Sequence, residues 1–218
     1  LNHLQIAIDG PAGAGKSTIA RKLAKNLNIT YVDTGAMYRA LTYKILKDKI
    51  EINNIDSIIE TAKNTNILLI EDELYLDNQH ITDEIRSKEV THYVSYIAQI
   101  PELRKILVEL QKKIADNNSV VMDGRDIGTF VLPNANVKIF LTASIEERAY
   151  RRYNELLLKD QPVNLQEIKK SIEERDKIDS QRDYAPLVKA EDAIELDTTG
   201  LSIDEVIEKI IHIIHRDK

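Results

Sequence analysis

Hydrophobic residues along the chain fall into two alternating rhythms. Leu4–Asp9, Thr30–Asp33, Ser119–Asp123, Val137–Leu141 and Ala193–Leu196 are short apolar runs, rich in β-branched residues and closed by polar or glycine positions. Such runs fill parallel strands that are buried on both faces. Between them apolar residues recur at helical spacing. Ile19, Ala20, Leu23, Ala24 and Leu27 make one stripe within Ser17–Leu27, and Ala36–Lys47 predicts a second helix. Ser144 with Glu147 and Ser202 with Glu205 are capping-box pairs, opening a helix that runs to about Leu158 and the final helix. Strands alternating with helices predict an α/β fold, with a parallel sheet of about five strands and helices on both faces.

Two segments break this rhythm. Ile67–Ile70 and Leu74–Leu76, joined through Glu71, Asp72 and Glu73, predict a hairpin, with His80–Thr82 as a third strand. A helix from about Ser87 to Ala98 follows, and Pro101 then opens another over Glu102–Ala115. Together these predict a small α+β insertion. Further on, the polar connection Leu158–Asn164 joins two charged helices, Glu146–Leu157 and Leu165–Ser180, which suits a movable helical lid.

Composition narrows the chemistry. The 218 residues include no cysteine, which removes disulfides, thiolate metal sites and cysteine nucleophiles and fits a reducing compartment. A net charge of −6 argues against a large nucleic-acid surface. No apolar run approaches the roughly 20 residues that span a bilayer, and the opening stretch is too short for a secretory leader. The expectation is a cytoplasmic monomer whose partners are small molecules, neither nucleic acid nor membrane.

Glycine, used seven times in all, is concentrated at Gly10, Gly13 and Gly15. Gly10, Pro11, Ala12, Gly13, Ala14, Gly15, Lys16 and Ser17 match the phosphate-loop pattern, with a strand before and a helix after. Backbone N–H groups through Thr18 and the positive end of the helix dipole would cradle phosphates. Lys16 would reach the β- and γ-phosphates of ATP, and the Ser17 hydroxyl would ligate Mg2+. Asp123, closing an apolar strand, stands where a Walker-B aspartate holds the metal. A P-loop NTPase-type core follows.

Which nucleotide machine this is depends on the arginines. The Asn-Lys pair of the guanine motif is missing, against a GTPase. Arg148, Arg151 and Arg152 share a face of the helix entering the lid, and Arg175, Asp179 and Arg182 share one on the helix leaving it. Taken singly, each arginine reads equally well as a solvated helix charge. Two stripes flanking one loop favour a kinase with a second anionic site. His212 and His215, lacking partners at ligand spacing, read as surface residues. A kinase of another small acceptor and a non-catalytic nucleotide switch stay open.

Four motifs in order, DGPAGAGKST, DTGAMYR, MDGRDIGT and ERDKIDSQRDYAPL, resemble those of the bacterial cytidylate kinases, within the nucleoside monophosphate kinases. The resemblance covers essentially the whole chain, including an insertion around Thr61–Ile100. It implies phosphoryl transfer from Mg-ATP to CMP and dCMP. It implies one domain over 1–218, with a monophosphate-binding region at 37–100 and a lid at 151–170. The resemblance further implies that Lys16, Arg125, Arg151 and Arg152 act in catalysis. Arg39 and Arg125 would hold the acceptor phosphate, with Thr34 nearby, at a position where many relatives have serine. Ser95, Arg104, Asp126 and Arg182 would approach the cytosine, and Arg175 and Asp179 the ribose. Ser17 sits where some relatives have glycine.

Overall fold

The computed structural model describes residues 3–70, 73–158 and 163–216. Its centre is a five-stranded parallel sheet in the order β2-β6-β1-β7-β8. The strands are β1 (Gln5–Asp9), β2 (Thr30–Asp33), β6 (Val120–Gly124), β7 (Val137–Thr142) and β8 (Ile194–Asp197). Side chains alternate across the sheet, so β1, β2 and β6 each feed two cores. Ile6, Ile8, Tyr31, Val121, Ile139 and Leu141 pack on one face with α1 (Lys16–Leu27) and α8 (Ile203–Arg216). Ala7, Val32, Val120 and Met122 pack on the other with α2 (Thr34–Lys47) and α5 (Pro101–Asn117). Double coverage explains why β1, β2 and β6 read as apolar runs.

The insertion is an antiparallel sheet of β3 (Ile67–Ile70), β4 (Glu73–Leu76) and β5 (Gln79–His80), followed by α4 (Lys88–Ile97). Its third strand is shorter than the predicted His80–Thr82 and lies earlier; the Ile81 amide still donates to Leu74 O at 3.2 Å. Glu71 and Asp72 of the predicted turn lie outside the described residues. Helix α3 (Ile55–Lys63), unpredicted from sequence, precedes the hairpin, with Asn54 accepting from Ser57 N at 3.1 Å as its cap. Ile58 and Ala62 bury its inner face.

The lid helices are α6 (Ile145–Leu157) and α7 (Leu165–Gln181). Ser144 caps the first by accepting from Glu147 N at 3.2 Å. Asn164 caps the second, accepting from Gln166 N at 2.8 Å. Residues 159–162 of the predicted connection lie outside the described residues. A short π-helical turn, Ile127–Val131, follows β6.

Candidate active site

The phosphate loop leaves the sheet through a gap that only glycine fits. Gly10 has φ +148°, and a Cβ there would stand 2.0 Å from the Leu141 carbonyl oxygen of β7. Gly13 and Gly15 take left-handed φ values of 77° and 87°. Helix α1 begins at Lys16 with no side chain capping its amides. Such uncapped N–H groups, at the positive end of a helix dipole, form an anion site.

Lys16 is buried and donates from Nζ to Pro11 O at 2.7 Å, so it rests on its own loop. Burial, and then the Arg125 charge, hold its ammonium well below the usual lysine range. Ser17 Oγ donates to Asp123 Oδ2 at 2.8 Å, and Tyr31 OH to Oδ1 at 2.8 Å. Strand register sets Asp33 beside Asp123. Burial and the neighbouring Asp33 charge push the Asp123 carboxyl up. Two carboxylates and a hydroxyl thus converge at the foot of the loop.

One cavity of about 1030 Å³ runs across these groups. Ala12 to Thr18 form its floor. At one end it is lined by Thr198, Leu201, Ile203 and Val206, and at the other by Arg39, Ser95, Arg125 and Arg175. Arg39 comes from α2 and donates to Ile85 O at 3.2 Å and Thr91 Oγ1 at 2.9 Å, both neutral acceptors. Burial, followed by the Arg175 charge, pulls Arg39 down to about 9. Burial and then Arg125 pull Arg175 down to about 10. Arg175 Nε is buried without a hydrogen-bond partner among the described residues and stands 3.9 Å from Asp179 Oδ2, so both guanidiniums keep donors free for an anion in the cavity.

Behind the arginines lies a buried polar layer. Arg125 Nε donates to Asp179 Oδ2 at 2.8 Å. Arg182 bridges Asp126 Oδ1 at 3.3 Å and Asp179 Oδ1 at 3.9 Å, while Arg104 Nη2 donates to Asp126 Oδ2 at 2.6 Å. Burial opposes the Asp179 charge, but Arg125, Arg175 and Arg182 outweigh it and hold the carboxyl below its usual range.

The structure thus gathers Lys16, Ser17, Thr18, Arg39, Ser95, Asp123, Arg125, Arg151, Arg152 and Arg175 around one cavity. Arg104, Asp126, Asp179 and Arg182 stand together in the layer behind. Gly10 and Pro11, expected in the cradle, are not among the residues that line the cavity. The Thr34 hydroxyl is turned to Asp123 O at 2.7 Å, so it braces the end of β6. Arg151 donates to Thr198 Oγ1 at 3.0 Å and to Thr198 O at 2.7 Å, and Arg152 pairs with Glu155 at 2.7 Å.

Several groups around the site were not foreseen. Leu201, Ile203 and Val206 were visible only as the start of a helix, and Thr91 as part of another. Asp9 also gave a signal, an acidic residue directly before the loop. Its carboxylate is buried and accepts from Ile127 N at 2.8 Å and Gly128 N at 2.7 Å. It therefore ties the donor loop to the segment that follows Arg125 and Asp126.

A phosphate loop facing a row of arginines across one cavity, beneath two arginine-bearing helices, defines a P-loop kinase. More narrowly, the chain belongs to the cytidylate kinase family, whose model matches residues 6–216. It is 59% identical over 214 residues to the cytidylate kinase of Alkaliphilus oremlandii, covering 98% of this chain and 99% of that one. It is 53% identical to the cytidylate kinase of Clostridioides difficile, covering 97% and 98%. The fold is shared with an uncharacterized protein from Eubacterium ventriosum, with a TM-score of 0.56 at 14% identity, covering 98% and 99% of the two chains. It is shared too with the shikimate kinase of Acinetobacter baumannii, with a TM-score of 0.50 at 17% identity, covering 99% and 95%. The enzyme is a nucleoside monophosphate kinase.

Proposed function

We propose that the enzyme transfers the γ-phosphoryl group of Mg-ATP to CMP and to dCMP, releasing ADP with CDP or dCDP. The observation that carries this reading is the pair Arg39 and Arg175, which line the same cavity as the phosphate loop, Arg39 bonded only to neutral acceptors and Arg175 with a buried, unpartnered Nε. An acceptor phosphate has its second pKa near 6, so its attacking oxygen is already ionised and no general base is required. What remains is to hold two polyanions in line and to stabilise charge on the group in flight. Lys16 and the loop amides would serve the donor, Arg39 and Arg125 the acceptor, and Arg151 and Arg152 the closed lid.

The chemistry of Ser17 and Asp123 fits Mg2+. That ion is commonly held by one or two carboxylates together with substrate phosphates. Among the described residues no cluster of three or more His, Cys, Asp or Glu could hold a metal alone. Bound there, the ion would neutralise charge on the transferring phosphates.

For the base, Arg104 Nε is buried without a hydrogen-bond partner among the described residues. Cytosine offers ring acceptors to such a donor and an amino group to a carboxylate such as Asp126. Uracil reverses part of that pattern. We read the enzyme as a monomer that works on free nucleotides. The absence of cysteine suits the cytoplasm, and no helix among the described residues is long and apolar enough to cross a membrane.

The test is ADP production from Mg-ATP with CMP, dCMP, UMP, AMP or GMP supplied in turn. CMP and dCMP should give the highest kcat/KM. Absence of CMP-dependent turnover would overturn the reading.

A further inference from the structure

The phosphate loop is gripped from its outer side by both lid helices. Ala12 N donates to Asp176 Oδ1 at 2.9 Å, while Ala12 O accepts from Arg148 Nη1 at 2.9 Å. Asp176 of α7 and Arg148 of α6 are themselves ion-paired, and Arg148 Nε also donates to Ala143 O at 3.0 Å. Both polar groups of one loop residue are therefore closed by a single ion pair drawn from two helices. Gly13 permits the approach, since a Cβ on it would stand 3.1 Å from Arg148 Cβ. Ala12, Ala149 and Ile172 seal the contact with a small apolar cluster.

The polar groups of Arg148 and Asp176 are spent on Ala12, Ala143 and each other, and neither residue lines the cavity. Their neighbours on the same helices, Arg151, Arg152 and Arg175, do line it. The pair thus connects the backbone of the donor cradle to the helices that present the lid cations. Displacing a positioned group by about 1 Å can cost about a hundredfold in rate.

We propose that Asp176, acting through Arg148, is a positioning residue that sets the lid arginines in register with the phosphate loop at Ala12. The rate of transfer depends on this clamp, whereas the affinity of either nucleotide in the ground state does not. The pair acts on transfer, so the inference rests on the kinase reading above. Asp176→Asn keeps an oxygen for Ala12 N but loses the ion pair; Arg148→Lys keeps the charge but loses the two-sided grip; Asp176→Ala loses both bonds.

Kinetics with ATP and CMP, read beside thermal unfolding of each variant, test it. Asp176→Asn and Arg148→Lys should remain folded at the assay temperature and lower kcat at least threefold, with both KM values within threefold of wild type. Asp176→Ala should lower kcat at least tenfold. ADP released without CDP should rise as a share of total ADP in all three, because a lid out of register admits water. If Asp176→Asn and Arg148→Lys, folded, retain wild-type kcat and the wild-type ratio of ADP to CDP, the clamp is only structural and the proposal fails. A kcat loss that merely follows the folded fraction overturns it as well. Wild-type enzyme in the same assay separates the two readings, since its failure to use CMP would strike the kinase assignment and not the clamp.

Discussion

Arg104 Nη2 meets Asp126 Oδ2 at 2.6 Å in the buried polar layer behind the cavity, where only 1% and 6% of the two side chains are exposed. Removing one member of a buried pair leaves the other as an uncompensated charge. Arg104→Met should therefore cost about 3–5 kcal/mol of stability, since Asp126 would keep only Arg182 at 3.3 Å. Adding Asp126→Asn should recover at least about 1 kcal/mol of that loss, because the stranded charge is gone. Urea denaturation of the single and double variants measures the coupling. Strict additivity would show that the pair is not an energetic unit.

Lys16 presents the reverse case. Burial, and then Arg125, disfavour its charged form in the fold, so the ammonium there is a liability for stability. Lys16→Met keeps the aliphatic stem and loses the cation, along with one bond to Pro11 O. Turnover should fall by a factor of about 10³ or more, the scale of a preorganised group on a transferring phosphoryl. Stability should stay within about 1 kcal/mol of wild type, the net worth of one hydrogen bond. A variant that keeps most of its kcat, or that unfolds outright, contradicts this account.

The difference between these two residues bears on what the sequence could disclose. Lys16 was legible because a phosphate loop is local: eight consecutive residues carry its pattern, and the flanking strand and helix follow from periodicity. Parallel strands buried on both faces were legible for the same reason. The Arg104–Asp126–Arg182 layer was not, since each of its residues belongs to a different element and only the fold brings them together. Resemblance to a family named those residues where spacing could not. Helix α3 was missed because its nine residues bury only two side chains, too few to mark a period. The π-helical turn after Asp126 depends on a carboxylate more than a hundred residues away, Asp9, and no local pattern could reveal it.

Two glycines with positive φ should respond very differently to alanine. Gly10→Ala would place its Cβ 2.0 Å from a backbone oxygen of β7, which cannot move without disturbing the sheet. Gly200 has φ +70° and nothing within 4 Å of an added Cβ, so Gly200→Ala meets only the left-handed penalty of about 1 kcal/mol. Thermal unfolding should show a small loss for Gly200→Ala. For Gly10→Ala the loss should exceed about 4 kcal/mol, the range reached by severe backbone or core disruption. Similar losses for both would mean that the loop does not leave the sheet as described.

Asp9 supplies a pH-dependent prediction. Burial raises its carboxyl from 3.8 to about 6, against the pull of the Gly128 and Ile127 amides and of Lys16, with Asp126 pushing the same way as burial. The folded chain therefore holds this proton more tightly than the unfolded chain does. The associated stability is fully present below pH 3.8 and is lost as pH rises through about 6. That interval is worth about 3 kcal/mol. Asp9→Asn cannot titrate there, and it offers one acceptor oxygen to two amides, so it should carry a constant penalty. Subtracting its unfolding free energy from that of the wild type at each pH cancels the other carboxylates. The difference should favour wild type most at about pH 3 and below, shrink by about 3 kcal/mol by about pH 7, and stay level above that. A flat difference across that range would show that Asp9 has an ordinary carboxylate pKa. The tie between the phosphate loop and the segment after Asp126 would then be insensitive to protonation.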